Sequence, residues 1–409
     1  MQLSSMVADG GTRAAPIVLG RRASLWVSAC VVAHMLWTSA APAMAYRIYA
    51  QEWHLSHTMT TGIFAIYPIV VVLVLVGFGD LSDHIGRRAT ILMGLGASLA
   101  GTVLFAVAPN VLWLFAGRAL MGTGVGLTAG PSIAAVMEFG TARHAPMITT
   151  VAQASGFAAA LLLGGALIEY APWPTRLSFW VLAALLAILL AAAWFLPRRA
   201  TGAGHWRPTL PSLPREMRKT FAVAAVAMMT AYTHGVLVLS LGGQVAHDLV
   251  GSPNAFVNGA VLAVFPAVLG AVSVVGRRPR AKAAMTLGAL ASATGMGLLA
   301  AAVAFRSLPL FLLATATSGA GYSMLFVSAL GLVNGAAPAA LRGGVLSMLN
   351  LFAYLSMGAV ALVLGAVATA WSLAVAIDLG SGVIAALSLI TIVFAARISP
   401  PISPPIGTP

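Results

Sequence analysis

The stretch GFGDLSDHIGRR (residues 77–88) sets Asp80, Asp83, His84, Arg87 and Arg88 close together in a chain of which only 8% is charged. Carboxylates and guanidinium forks at this spacing suit charge-assisted hydrogen bonds, the chemistry of a clasp rather than of bond making. A second isolated cation, Arg118, falls inside an apolar run, where an arginine costs several kcal/mol unless it faces water or a partner. His34 and His234 stand deep in two further apolar runs. An imidazole there titrates near neutral pH and can exchange protons, or can simply bond one helix to another. No G-x-x-x-x-G-K-[ST] segment is present to cradle nucleotide phosphates. Histidines and acids lack metal-site spacing, HLSH (54–57) being too slight, and no acid, base and nucleophile are grouped. The expectation is a protein without cofactor or metal that is not an enzyme.

The elements that must position these groups are apolar. Of the 409 residues 60% are hydrophobic, too many for a water-soluble core and surface. Runs long enough to cross a bilayer fall near 24–46, 60–79, 89–108, 110–136, 146–168, 176–196, 220–243, 255–275, 283–304, 308–333, 344–366 and 373–395. Lipid offers the backbone no partner, so twelve helices are expected. The first run has the basic start and A-x-A ending of a signal peptide, yet reads better as an uncleaved first span. Cys30 is the single cysteine, so no disulfide framework exists.

Basic residues set the expected orientation. With the N-terminus inside, 18 lysines and arginines fall in inner segments and 3 (Arg47, Arg176, Arg306) outside, with Arg118 within a span. Both termini are therefore expected in the cytoplasm, and the net charge of +13 follows from loop bias without any nucleic-acid partner. The polar, proline-rich stretch 197–219 divides the chain. The expected organisation is a tail (1–23), a six-helix bundle (24–196), a cytoplasmic linker (197–219), a second six-helix bundle (220–396) and a tail (397–409). IFAIYP (63–68) and VLAVFP (261–266) match at an offset of 198, and Gly122 and Gly124 echo Gly319 and Gly321. Parallel half-repeats of this kind are a transporter design.

The charged turn carries a family resemblance. Gly79, Leu81, Ser82, Asp83, Gly86, Arg87 and Arg88 resemble the signature loop G-x-L-[AS]-D-[RK]-x-G-R-[RK] of the major facilitator superfamily, with His84 departing from it. Arg118, Gly122 and Gly124 in RALMGTGVG (118–126) are similar to that family's R-x-x-Q-G-x-G segment, Met121 replacing Gln. The family's antiporter segment G-x-x-x-G-P-x-x-G-G is matched at Gly156, Gly164 and Gly165 but not at Ala160 and Leu161, which removes the best sequence argument for export.

The resemblance implies an all-α polytopic membrane protein with two pseudo-symmetric six-helix bundles. It implies a latch in which Asp83 meets the start of span eleven (341–344), Arg87 meets Glu138, and Arg88 seeks a carboxylate or stays solvated. It places Trp37, Tyr67, Arg118, Gln153, Tyr232, Tyr322, Asn350 and Tyr354 on spans that approach the central cavity, with His34 and His234 on two symmetry-related cavity helices. For Arg118 two readings stand: a structural cation on backbone carbonyls, or a coupling group that meets protons or substrate. Asp378, in span twelve, is expected at the interface.

The function implied is secondary transport of a small organic solute across a bacterial-type inner membrane by a monomer. Proton-coupled efflux is the leading reading; proton-coupled uptake or facilitation, and a non-transporting membrane sensor, are the alternatives. If the latch is real, Asp83→Asn cuts transport in reconstituted vesicles while leaving expression and insertion intact. Wild-type transport by that variant would remove the latch.

Overall fold

A computed structural model describes residues 18–141, 144–198, 213–241, 253–275, 281–337 and 342–397. Among the described residues there are fourteen α-helices and no strand. The first half holds α1 (Arg21–Ala40), α2 (Tyr46–Glu52), α3 (His57–Phe78), α4 (Leu81–Ile85), α5 (Arg87–Val107), α6 (Val111–Phe139), α7 (Ala145–Tyr170) and α8 (Leu177–Ala193). The second holds α9 (Arg218–Val236), α10 (Ala255–Val275), α11 (Ala281–Ala304), α12 (Leu308–Ala336), α13 (Arg342–Ala370) and α14 (Leu373–Ala396).

Eleven of these are long and apolar enough to cross a membrane. The twelfth expected span is α8, whose 17 residues rise about 25 Å, short of a full hydrocarbon core. The first expected span also ends early: Ala41 still has helical dihedrals, but Pro42 has no N–H with which to continue the ladder, and α2 follows as a short separate helix. Side-chain caps mark several starts. Ser56, Asn110, Ser307 and Ser372 each accept a hydrogen bond from a backbone N–H in the first turn.

The helices sort into two six-span bundles. In the first, α1 packs on α6 and α7, α3 on α6, and α5 on α6 and α8. In the second, α9 packs on α12, α13 and α14, α10 on α12, and α11 on α12 and α14. Extensive contact between the bundles runs along two seams, α3 with α13 and α7 with α10. The two seams are equivalent under the half-repeat, which is what a twofold axis between the bundles requires.

Packing inside each bundle shows the same correspondence at residue level. GLGASLAG (94–101) on α5 and GALASATG (288–295) on α11 share glycine, serine and glycine at an offset of 194. In the first bundle Ser98 sits against Gly124, and in the second Ser292 sits against Gly321. Gly122 packs on the backbone of Tyr67 as Gly319 does on that of Phe265. Small residues let these helices approach closely where no hydrophobic drive exists between them.

The α7–α10 seam is a close crossing between bundles. A Cβ at Gly165 would lie 2.7 Å from Ala255 O and 3.1 Å from Phe256 Cα, and a Cβ at Gly259 would strike Leu161 O. Replacing Gly165 with Leu therefore forces the seam apart and should destabilise the protein by about 1–3 kcal/mol, as overpacking does. Unfolding in detergent checks this, and an unchanged midpoint would mean that the bundles are not in contact there.

Candidate functional site

The charged turn lies between α3 and α5 on what we term the turn face. Gly86 has φ 88°, a conformation that a side chain would strain, and it lets α5 start immediately after the short α4. Arg87 Nη1 donates to Glu138 Oε2 at 2.5 Å, joining the start of α5 to the end of α6. Nearby, Arg21 donates from Nε to Phe139 O (3.0 Å) and from Nη2 to Gly140 O (3.2 Å). A cation thus closes the carbonyl end of α6, where the helix dipole favours it.

Arg88 meets a ring rather than a carboxylate among its described contacts. Consecutive helical residues point about 100° apart, so only one of the two arginines can face α6. Arg88 turns the other way and lies over the Trp194 ring at 5.4 Å, a cation–π contact beyond the end of α8. Asp83 is exposed, with Ser82 Oγ donating to its Oδ1 at 3.5 Å. Of its expected partner segment, 341–344, residue 341 lies outside the described residues. Gly79 does bring the turn to α13, since a Cβ there would stand 3.6 Å from Ser347 Oγ.

Deeper in the first bundle, Arg118 is fully buried. Its Nη1 donates to Thr38 O (3.3 Å) and Ser39 O (3.2 Å) at the end of α1. The α1 helix stops there, leaving those last carbonyls without intrahelical donors. The guanidinium carbon stands 4.5 Å from the Tyr67 ring centroid and 5.7 Å from that of Phe64. Nε and Nη2 have no hydrogen-bond partner among the described residues. The cation is thus held by carbonyls and ring faces, with donor capacity left over. On the short α2 beside it, burial pushes the Tyr46 phenol up, partly opposed by the charge of Arg118.

From Tyr67 a continuous set of aromatic rings crosses both bundles. Tyr67 on α3 meets Tyr354 on α13 edge-on at 6.4 Å, and Tyr354 meets Tyr232 on α9 at 5.1 Å. Tyr232 stacks with Tyr322 on α12 at 6.2 Å, and Tyr322 meets Phe265 on α10 at 5.8 Å. Phe265 then reaches back across the second seam to Phe157 on α7 at 5.9 Å. Four of the expected cavity residues are therefore brought together, with Arg118 at one end. Centroid spacings of this size are those of offset and edge-to-face pairs.

Phe157 and Phe265 are members of this cluster that a scan for polar groups passes over. Phe265 had a signal in the half-repeat, as the counterpart of Tyr67. Gln153 is buried one turn before Phe157, and Asn350 is half-buried one turn before Tyr354. Trp37 is half-buried one turn after His34, and makes no ring contact with the tyrosines among the described residues.

The two histidines part company. His34 does not face the cluster: its Nδ1 meets Val31 O and its Nε2 meets Ser98 Oγ on α5 at 3.3 Å, inside the first bundle. The contact between α1 and α5 draws the ring to that side. His234 donates from Nδ1 to Thr230 O at 2.8 Å and stacks on Phe265 at 6.4 Å. Asp378 is exposed on α14.

Comparison with known proteins places this architecture. A family model described as Major Facilitator Superfamily matches residues 26–356, and the chain belongs to that family. Over 135 residues, 32% of the chain, it is 30% identical to the multidrug efflux pump LfrA of Mycolicibacterium smegmatis, covering 27% of that protein. It is 30% identical over 107 residues to an MFS-type transporter of Aspergillus terreus, covering 25% of this chain and 19% of the relative. The matched region thus spans about a quarter or less of these curated relatives. The fold resembles that of the nucleoside transporter NupG (TM-score 0.68, 14% identity, 92% of this chain and 100% of that one). It also resembles that of the POT family transporter PepTSo (TM-score 0.75, 13% identity, 92% and 98%).

The Arg87–Glu138 pair is half-shielded, with side chains 32% and 24% exposed, so it is worth about 1 kcal/mol. Glu138→Gln should lower stability by that amount, and the R87E/E138R exchange should recover most of it. Unfolding of the four proteins of the cycle in detergent measures the coupling. A coupling of zero would show that the contact contributes nothing.

Proposed function

We propose that this chain is a secondary transporter that exports a compact, amphiphilic, aromatic-bearing organic solute in exchange for protons, by alternating access between the two bundles. The observation that carries the reading is the aromatic path from Arg118 through four tyrosines, crossing the bundle boundary at both seams. Groups that bridge two bodies change their spacing when those bodies rock, so a solute bound there senses and drives the motion. Rings supply a flat apolar surface and phenols supply hydrogen-bonding points, the mix found in ligand pockets.

Arg118 is assigned the coupling role. Its Nε and Nη2 have donor capacity to spare for an acceptor group of the solute or for the water that carries a proton. The efflux direction draws support from the likeness to a protein named as a multidrug efflux pump. In this reading the turn face is cytoplasmic, both termini lie on that side, and the membrane is the bacterial inner membrane, as the loop charges support. Opposite, on the far face, Thr58 N and Oγ1 donate to Thr369 Oγ1 (both 2.8 Å), and Ala255 N donates to Glu169 Oε2 (2.8 Å). These bonds tie the two bundles together there and break when that side opens.

Proteoliposomes with an imposed pH gradient and a panel of radiolabelled amphiphilic solutes test the proposal. Solute should move against its own gradient only while the pH gradient persists, and Arg118→Met should lower the driven flux at least tenfold. Tyr354→Ala should raise KM more than it lowers the maximal rate, since it removes binding surface. Driven flux unchanged in folded Arg118→Met protein would overturn the coupling assignment. Accumulation of reversed sign would make the protein an importer.

A further inference from the structure

A cavity lies inside the second bundle, among α9, α10, α11, α12 and α14. Its origin is legible by setting the two bundles against each other. Around Arg118 the first bundle fills its interior with large, fully buried side chains: Phe64, Tyr67, Phe105, Met121 and Phe179. The half-repeat puts smaller residues at the matching places of the second bundle. Thr315 and Ser318 stand where Arg118 and Met121 stand (offset 197), and Leu262 stands where Phe64 does (offset 198). Leu299 takes the place of Phe105 (offset 194) and Ile377 that of Phe179 (offset 198). All five smaller residues line the cavity. In the first bundle Phe105 and Phe179 pack at 4.9 Å, whereas their counterparts leave open space.

The polar groups in that space are few and specific. His234, 1% exposed, lines the cavity, and its Nε2 has no partner among the described residues. Because Nδ1 meets a carbonyl, Thr230 O, it carries the proton, and Nε2 is left as an acceptor. Ser318, 3% exposed, also lines the cavity with its Oγ unpartnered among the described residues. Thr315 Oγ1 already donates to Phe311 O at 2.5 Å, so it adds no free donor. A buried acceptor without a donor costs free energy that a ligand hydroxyl would recover. The lining holds no charged side chain, so an ion would be poorly matched there.

We propose that this cavity is a second binding site, adjoining the aromatic path through the shared ring of Phe265, for a compact neutral molecule with an apolar body and one hydroxyl group donated to His234 Nε2. The site arises because the second bundle kept the walls of the Arg118 pocket and replaced its contents with smaller side chains.

Fluorine NMR of the purified full chain tests this with 4-fluorophenol as probe and fluorobenzene as its hydroxyl-free control. Wild-type protein should show saturable 4-fluorophenol binding, about tenfold tighter than fluorobenzene, the worth of one buried hydrogen bond. Ser318→Met and, independently, Leu299→Phe restore first-bundle residues and should abolish saturable binding of both probes. His234→Phe should keep fluorobenzene binding and erase the preference for the phenol. No saturable binding to wild-type protein, or wild-type binding by a folded filling variant, would overturn the site. A preference unchanged in His234→Phe would overturn the hydroxyl assignment. The readout is binding rather than flux, so its failure and a failure of the transport reading are separable.

Discussion

Hydrocarbon cannot accept or donate a hydrogen bond, and every other feature of this protein follows from that constraint. Each spanning segment must satisfy its backbone internally, so the bundles are built from whole helices packed through glycine, alanine and serine. Such bodies do not bend gradually. Extensive contact between the bundles runs along the α3–α13 and α7–α10 seams. Several buried polar side chains are tied into that packing. Ser98 bonds to His34, Arg118 to the open carbonyls at the end of α1, and Glu138 to Arg87.

Charge is treated in two ways. At the turn face, Arg21 and Arg87 both converge on the end of α6, one on its carbonyls and one on its acidic side chain. Arg88 is diverted to Trp194. These contacts brace the first bundle from within, so the signature turn moves with that bundle as a unit. In the interior, Arg118 is held without a carboxylate among its described contacts, by carbonyl dipoles and by the faces of Tyr67 and Phe64. A cation held by dipoles and π faces remains able to answer an incoming acceptor, which a salt-bridged arginine could not do as readily.

The pseudo-twofold symmetry makes the differences between the halves informative. Both bundles share the glycine–serine packing of α5 with α6 and of α11 with α12. Each has a histidine on its first span, yet His34 is absorbed by Ser98 while His234 keeps a nitrogen without a partner among the described residues. The first bundle carries the cation and a tightly filled interior; the second carries three of the four tyrosines of the aromatic path and an internal cavity. Duplication supplied the walls, and side-chain size divided the labour.

The order of the spans was legible in the chain alone because hydrophobic length is a local property, and α10 begins and ends where its apolar run does. The twofold arrangement and the pairing of Arg87 with Glu138 were also anticipated, since a half-repeat and a family signature turn are written in residue order. The direction of each side chain was not. Arg88 and Arg87 are neighbours in sequence, but the helix turns them toward different partners. His34 and His234 lie on corresponding helices, but only packing decides which ring meets a serine. The membership of Phe157 and Phe265 in the aromatic path, and the cavity beside His234, depend on residues far apart in the chain meeting in space. Local composition determines what must be buried; the relative rotation of packed helices determines what it is buried against.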